Sequence, residues 1–181
     1  DNIPSIQDAI DDINANWDIT VVLGAEVTHA PVESIDGIAK RAKQLGAKIV
    51  VVHGETLNEP VTPGTNRAAV ESKYVDIIGH PGLITKEEAE IALKNDIYLE
   101  ISARKGHCLG NGHVANIARE VGNKLLVDTD THAPGDIITF DKSYEVALGA
   151  GLSHDEAMKA IVDNPRELLK SKGILWKHPN F

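Results

Sequence analysis

The chain has 181 residues, of which 42% are hydrophobic, so it is long enough for a single domain with a sizeable core. Its formal net charge of −9 argues against long nucleic acids and anionic membranes as partners, because both are bound by clustered lysine and arginine. No apolar stretch approaches the ~20 residues that cross a bilayer. The single cysteine, Cys108, excludes an internal disulfide and favours a reducing, cytoplasmic setting.

The first predicted elements alternate between helix and strand. Isoleucines recur at helical spacing through residues 3–13, and an apolar run through residues 21–26 then predicts a strand. A second helical stripe occupies residues 35–45 and is followed by Gly46, a typical helix stop. The apolar run at residues 49–53 predicts the second strand.

The same alternation continues along the chain. Residues 77–80 predict a third strand, and residues 85–88 match the Ser/Thr-x-x-Glu capping box of a following helix. Residues 98–103 predict a fourth strand, residues 114–121 a helix, and residues 125–132 a fifth strand. Strands and helices at this spacing indicate βα units and a parallel sheet.

The last part of the chain is predicted to be helical. Residues 153–156 form a second capping box, and Asn164-Pro165 supplies a cap and a first-turn proline for the final helix, with residues 174–176 as packing residues. A closed β/α barrel needs about eight strands, and five are too few. Because the only methionine is Met158, we expect residues 1–181 to be a single domain that is incomplete at its N-terminus.

The predicted strands end on or beside residues that bind metal ions. Side chains alternate between the two faces of a strand, so the polar residue at each end shares a face with the residues two positions before it. The sets that share a face are Gly24 with Glu26; Ile49 and Val51 with His53; Ile78 with His80; Glu100 with Ser102; and Leu126 and Asp128 with Asp130 and His132. Parallel strands gather their carboxyl ends on one side, so we expect these residues to converge.

Imidazole and carboxylate groups are typical ligands of zinc, manganese and iron. A set of Glu26, His53, His80, Asp130 and His132 suits a centre in which a carboxylate bridges two ions that together activate a water molecule. Hydrolysis of a phosphate ester is a typical reaction of such a centre.

Four of these strand ends resemble motifs of the PHP family, which is named for polymerase and histidinol phosphatase. The matching segments are residues 24–26, 51–54, 79–81 and 129–132, and the resemblance runs from about Asp8 to Asn164. It implies an α/β fold, a distorted (β/α)7 TIM-like barrel of PHP type.

The resemblance also implies ligand roles. In that family the glutamate that matches Glu26 bridges two ions, and the histidines that match His53 and His80 complete one metal position. The aspartate matching Asp130 serves a second position, and the histidine matching His132 belongs to a third. All five residues are therefore implied metal ligands, with Glu26, Asp130 and His132 also implied catalytic residues. An intact family member holds up to three divalent ions.

The chain departs from the family at its start. The His-x-His and Thr-Asp-His motifs of the first two family strands occur nowhere in the sequence, which agrees with two missing strands. Without them the second and third metal positions would be incomplete. Glu26, His53 and His80 could still hold one ion with water in the fourth position.

The loop after the fourth strand offers a candidate phosphate site. Arg104, Lys105 and His107 lie among glycines, where a cation could grip a substrate phosphate, although an ordinary solvated loop is an equal alternative. We expect Asp128 to orient a ligand rather than to bind metal, and His29 to be an exposed loop residue.

These observations predict a metal-dependent phosphoesterase that hydrolyses a small phosphomonoester through a metal-activated water. A first alternative is a non-catalytic or clipped fragment that binds at most one metal ion or binds a partner chain. That partner would be a complementary N-terminal fragment or a second copy of the chain, and it would supply the remaining strands. A further alternative is a phosphoesterase acting on a nucleotide or an oligonucleotide 3′ end. The physiological substrate and the native metal are beyond the sequence.

Overall fold

The computed structural model describes residues 2–175 and has an α/β fold built on one parallel sheet. The five strands pair in chain order, each parallel to the next. They are β1 (Gly24–Val27), β2 (Ile49–His53), β3 (Ile77–Gly79), β4 (Tyr98–Ser102) and β5 (Leu125–Asp128). The predicted parallel sheet is confirmed, and β1 starts three residues later than the sequence suggested.

A helix follows each of the first four strands before the next one begins, as expected for βα units. The helices are α1 (Ile3–Asn16), α2 (Ile35–Gln44), α3 (Thr65–Glu71), α4 (Lys86–Lys94), α5 (Asn111–Val121), α6 (Phe140–Gly149), α7 (His154–Met158) and α8 (Asn164–Ser171). Both predicted capping boxes are present: the Thr85 and Ser153 side chains accept hydrogen bonds from the backbone N–H of Glu88 and Glu156. Within residues 2–175, every helix is too short or too polar to span a bilayer.

The two faces of the sheet pack differently. One face carries Val50, Val52, Ile78, Leu99 and Ile101, which form the main core with small and apolar side chains of the surrounding helices. The opposite face carries a smaller buried cluster of Ile77, Tyr98 and Leu126, joined by Leu168 of α8 and flanked by Ile49 and Val51.

This arrangement confirms the predicted orientation of β2 and corrects that of β3. Ile49 and Val51 lie on the face of the smaller cluster, as expected. Ile78 was expected to share a face with His80, but it packs in the main core, and Ile77 takes the position on the other face. The strand ends at Gly79, so alternation no longer governs the direction of His80.

The end of the chain also differs from its prediction. A π-helical segment, Lys159–Asp163, joins α7 directly to α8, so Asn164 lies inside a continuous helical stretch and makes no side-chain cap. Its Nδ2 instead donates to the Leu125 carbonyl at 2.8 Å, which attaches α8 to the start of β5. Leu175, predicted to pack, is exposed, and Trp176 lies outside the described residues.

An ion cluster stabilises the sheet at the amino end of β3. The buried carboxylate of Asp76 accepts a hydrogen bond from the backbone N–H of Val50 at 2.7 Å. The same carboxylate pairs with Lys43 and, at 2.5 Å, with Lys172. This cluster ties the beginnings of β2 and β3 to the helical layer, at the opposite end of the strands from His53.

Candidate metal centre

Three buried histidines converge at the carboxyl ends of the strands. His53 is the last residue of β2, His80 directly follows β3, and His107 lies in the turn between β4 and α5. One ring nitrogen of each lies within 4.8 Å of those of the other two. A group of three imidazoles at this spacing can hold a divalent metal ion.

Each imidazole is held in place through its Nδ1 atom. His53 Nδ1 lies 3.0 Å from the Gly54 carbonyl, and His107 Nδ1 lies 2.9 Å from the Thr56 hydroxyl. His80 Nδ1 lies 3.0 Å from a carboxylate oxygen of Glu100. The carbonyl and the carboxylate can only accept, so in His53 and His80 the proton sits on Nδ1 and the lone pair is on Nε2.

Two of the three Nε2 atoms are left without hydrogen-bond partners. Among the described residues, Nε2 of His53 and Nε2 of His80 are buried and make no hydrogen bond. A buried polar atom without a partner costs roughly 1–3 kcal/mol. A bound cation would satisfy both atoms, since an imidazole that ligates metal through Nε2 is usually held at Nδ1 by an acceptor.

Unusual backbone geometry sets the side-chain directions of two of the site residues. His80 has a φ of +34° and Asp130 has a φ of +45°, and both directly or closely follow the end of a strand. These left-handed conformations are uncommon outside glycine but are more frequent in His and Asp. They turn the side chains away from the strand alternation and toward the other histidines.

Close packing of glycines brings the loops to these positions. The backbone N–H of Gly54 donates to the Gly79 carbonyl at 2.8 Å, and a Cβ at position 54 would lie 2.6 Å from that oxygen. A Cβ at Gly82 would lie 2.0 Å from the carbonyl oxygen of Glu55. The loops after β2 and β3 therefore need glycine where they touch.

Two carboxylates border the histidines in addition to Glu100. One is Asp130, whose Oδ2 lies 3.5 Å from His107 Nε2 and 3.1 Å from Arg104 Nε. The other is Glu59, in the loop between β2 and α3, whose Oε2 lies 3.8 Å from His107 Nε2 and 4.0 Å from His53 Nε2. Negative charge therefore approaches the three imidazoles from two sides.

The other predicted ligands are more exposed. His132 lies 3.5 Å from Asp130, measured from Nδ1 to Oδ1, but its side chain is 63% exposed. Glu26 is exposed, and its Oε1 accepts a hydrogen bond from the Thr28 hydroxyl at 3.1 Å. Its negative charge nevertheless acts to raise the pKa values of His53 and His80, although burial outweighs this effect at His53.

The structure thus brings together only part of the predicted ligand set. His53 and His80 meet, Asp130 lies at their edge, and Glu26 and His132 sit further toward solvent. His107, which sequence reasoning assigned to substrate phosphate, lies with the other two histidines.

Arg104 and Lys105 lie beside this group. The Arg104 guanidinium donates to the Asp130 carbonyl oxygen at 2.7 Å and pairs with its carboxylate, while Lys105 borders an adjacent cavity. The cavity measures about 360 Å³ and is lined by Ala103, Arg104, Lys105, Thr129, Gly135, Asp136 and Ile138.

Burial and neighbouring charges lower the pKa values of two of the three histidines and raise that of the third. Burial, followed by the charge of His80, lowers the pKa of His53 and of His107. Burial also acts to lower the pKa of His80, but the hydrogen bond and charge of Glu100 outweigh it and raise this pKa. His53 and His107 are therefore poised as neutral ligands, whereas Glu100 favours the protonated form of His80, so a proton competes with a metal ion for Nε2 of that ring.

A second carboxyl, that of the partly exposed Asp128 at the end of β5, lies near Glu100. Burial, together with the charge of Glu100, raises the pKa of Asp128 to about 7. The nearby charge of Glu100 disfavours the ionised form of Asp128.

Sequence reasoning missed roles for Glu59 and Glu100. The strand alternation placed Glu100 at an inward polar position, but only the structure shows its bond to His80. Glu59 carries no signal in the sequence, because it lies in a loop whose path depends on distant glycines.

Comparison with known proteins shows which proteins the chain is related to. No model of a known protein family matches it. The uncharacterized protein MJ1295 of Methanocaldococcus jannaschii is 52% identical over 163 residues, which cover 90% of this chain and 75% of that protein. The chain belongs to the same family as MJ1295.

More distant relatives of this MJ1295 family member are named as phosphatases. A "probable phosphatase" of Thermoanaerobacter sp. is 32% identical over 117 residues, covering 58% of this chain and 47% of that protein. Another, of Caldanaerobacter subterraneus, is 25% identical over 170 residues, covering 85% and 67%. The chain spans less than half the length of the Thermoanaerobacter protein. These names support a phosphatase family at a coarse level.

Solved structures share the fold. A chain in the cryo-EM structure of archaeal ribonuclease P with mature tRNA has a TM-score of 0.75 and 17% identity, covering 93% of this chain and 76% of that chain. The crystal structure of an amidohydrolase has a TM-score of 0.58 and 16% identity, covering 94% and 47%. At these identities the similarity is one of fold alone.

Proposed function

We propose that the chain is a metal-dependent phosphoesterase of PHP type that hydrolyses a small phosphomonoester. The observation that carries this proposal is the pair of buried, unpartnered Nε2 atoms of His53 and His80 beside His107. The names of the distant relatives, "probable phosphatase", support the same reaction class.

The side chains present fit a divalent ion such as zinc, manganese or iron. Three imidazoles with nearby carboxylates form a donor set that these ions accept. When bound, the ion would lower the pKa of a coordinated water and stabilise negative charge on the phosphoryl oxygens. His53, His80 and His107 would hold it, with Asp130 at the edge of the same site.

The protein residues would supply the remaining chemistry. Glu100 orients His80 through Nδ1, and Arg104 orients Asp130 through its guanidinium. Lys105 borders the adjacent cavity and provides positive charge for a substrate phosphate. Glu26 and His132 lie further toward solvent, where they would serve additional metal positions.

We also propose that the five-stranded sheet is part of a TIM-like barrel of PHP type. The fold similarity to the amidohydrolase, at a TM-score of 0.58, supports this view. The remaining strands would come from another segment or chain, and the binding site would then sit at the carboxyl ends of the strands, where His53 lies.

Metal analysis combined with a phosphatase assay tests the proposal. We expect the purified chain to contain bound metal and to hydrolyse p-nitrophenyl phosphate when manganese or zinc is added. His53→Ala should lose both properties, because it removes a buried ligand. His154→Ala is the matched control, since that exposed histidine bonds Tyr144 on the outer helices.

Each outcome separates the alternatives. Metal content and turnover in the parent chain, both lost in His53→Ala, would support the phosphoesterase. One ion or none without turnover would support a non-catalytic fragment. Unchanged metal content in His53→Ala would contradict the site itself.

A further inference from the structure

The loop of residues 54–64, between β2 and α3, is fixed at both ends. The Oε1 atom of Glu55 accepts hydrogen bonds from the backbone N–H groups of Gly64 and Asn66, both at 3.0 Å. The backbone N–H of Glu55 donates in turn to Asn66 Oδ1 at 3.0 Å. These bonds join the start of the loop to its end, so the residues between them have a defined path.

The same loop packs closely against two neighbouring loops. A Cβ at Gly106 would lie 2.5 Å from the side chain of Asn58, and a Cβ at Gly82 would meet the backbone of Glu55. The Thr56 hydroxyl lies 2.9 Å from His107 Nδ1. Loop 54–64 therefore touches the segments that carry His80 and His107, and the position of Glu59 is set relative to both.

One carboxylate oxygen of Glu59 lies close to the distance from two histidine nitrogens that separates two ligands of the same metal ion. Two ligand atoms that each lie ~2.1 Å from a tetrahedral ion are about 3.4 Å apart. Oε2 of Glu59 lies 3.8 Å from His107 Nε2 and 4.0 Å from His53 Nε2. These distances exceed the spacing between two ligands of a tetrahedral ion by only a few tenths of an ångström.

The other oxygen of Glu59 is held by His29. Oε1 lies 3.2 Å from His29 Nε2, and the His29 ring stacks on the His53 ring with centroids 5.7 Å apart. His29 has a φ of +52°, so the backbone is bent to place this ring over the site. One carboxylate oxygen is thus anchored while its neighbour faces the imidazoles.

Asp130 offers a useful contrast with Glu59. Its Oδ2 is 3.5 Å from His107 Nε2 but only 3.1 Å from the guanidinium of Arg104, so a cation of the protein already neutralises it. Oε2 of Glu59 instead faces the Nε2 atoms of His53 and His107.

We propose that Glu59 is a further metal ligand, which joins His53, His80 and His107 and is oriented by His29. This inference rests on the metal centre of the proposed function. It gives the ion a carboxylate from loop 54–64 in addition to the histidines at the strand ends. An anionic ligand would also offset part of the charge of a divalent ion beside three neutral rings.

Metal binding by a variant in which an uncharged amide replaces the Glu59 carboxylate tests this role. We would titrate the metal-free full chain with zinc against a chromophoric chelator, and record the absorption spectrum with cobalt(II) in place of zinc. Glu59→Gln keeps the size of the side chain but removes the anionic oxygen, so zinc affinity should fall by about tenfold or more. The cobalt spectrum should change as well, because one oxygen donor is lost.

Glu120→Gln is the matched control. Glu120 is 49% exposed and pairs with Lys86, whereas Glu59 is 50% exposed and pairs with His29. Glu120 lies near the end of α5, and it is the other end of that helix that lies at the site. The same change there should leave zinc affinity and the cobalt spectrum as in the parent chain.

His29→Ala adds a second measurement. If His29 orients Glu59, its removal should weaken zinc binding by a few fold and leave the cobalt spectrum nearly unchanged, since the ligand itself remains. Circular dichroism would confirm that each variant is folded.

The outcomes separate this inference from the proposed function. Parent-like zinc affinity and cobalt spectrum in Glu59→Gln, with metal binding intact in the parent, would overturn the role of Glu59 alone. Failure of the parent chain itself to bind zinc or cobalt would overturn both. Weaker binding in Glu59→Gln but not in Glu120→Gln would support a ligand.

Discussion

A single carboxylate oxygen of Glu100 accepts two hydrogen bonds from His80. The backbone N–H of His80 donates at 2.6 Å and its ring Nδ1 lies at 3.0 Å, and both side chains are almost completely buried. The contact fixes the tautomer and the rotation of the imidazole, so Nε2 faces the other two histidines. Such a carboxylate behind a metal-binding histidine also increases the basicity of the ligand.

We therefore expect Glu100→Gln to weaken zinc binding by roughly 10–100-fold. The neutral amide retains the shape of the side chain but is a poorer acceptor for Nδ1 of His80. A chelator competition assay on the metal-free protein would measure the change. Parent-like affinity in a folded variant would show that Glu100 has no part in the site.

His107 and His132 should respond differently to removal. His107 is buried with His53 and His80, whereas His132 is 63% exposed. We predict that His107→Ala lowers the affinity for the first bound ion by at least about tenfold, and that His132→Ala changes it much less. Isothermal titration with zinc compares the two. A larger loss in His132→Ala would favour the ligand set inferred from the sequence.

Asp128 should reduce stability as the pH rises. Its pKa is raised to about 7, above the ~3.9 of an unfolded chain, so the folded state holds the proton more tightly between these values. The contribution of Asp128 to stability is then most favourable below the unfolded pKa and is lost as the pH rises through about 7. In metal-free protein, Asp128→Asn should be more stable than the parent by on the order of 1–2 kcal/mol at about pH 8.

Urea unfolding at two pH values measures this effect. At about pH 4 the Asp128 carboxyl is largely protonated in the folded protein, and the variant and parent should differ little. A variant that is less stable than the parent at the higher pH would contradict the predicted sign.

Asp76 should matter for stability and not for metal binding. Asp76→Asn leaves the Lys43 and Lys172 ammonium groups without their carboxylate, although both remain about a quarter exposed, at 24% and 26%. We expect a loss of about 2–3 kcal/mol in urea unfolding, below the full cost of a buried charge. Asp96→Asn, which removes a 69% exposed carboxylate paired with Lys124, is the control and should cost less than about 1 kcal/mol.

Gly82 should tolerate no side chain. Its φ is +60°, and an added Cβ would lie 2.0 Å from the Glu55 carbonyl oxygen. Gly82→Ala should therefore displace the loops after β2 and β3 and lower both the melting temperature and zinc affinity. Gly112→Ala is the control, because nothing lies within 4 Å of a Cβ there and alanine is the better helix former. Equal melting temperatures for the two variants would refute the packing argument.

The sequence predicted the sheet well because alternation and caps are local properties. His53 could be placed from parity, since it is still part of β2 and follows Ile49 and Val51 on the same face. His80 was correctly expected near it but for an incorrect reason. Ile78 faces the main core, and it is the left-handed backbone of His80 that turns its ring to the site.

The position of His107, which was expected at a phosphate site, and that of Glu59, which was missed, depend on contacts between distant segments. His107 reaches the other histidines because the turn that carries it is held by Thr56, and Glu59 does so because loop 54–64 packs on Gly82 and Gly106. No periodicity in the chain encodes such contacts. Sequence reasoning could find residues at strand ends, but not those delivered by loops.

The separate anchoring of the three imidazoles bears on which ions the protein accepts. Each ring is tethered to a different group, a carbonyl for His53, a carboxylate for His80 and a hydroxyl for His107, so no single displacement widens the site. A small ion that favours nitrogen donors would enter without rearranging these tethers. Calcium, which is larger and takes six to eight oxygen donors, would have to stretch all of them, so we expect the proposed site to discriminate by ionic radius as well as by donor type.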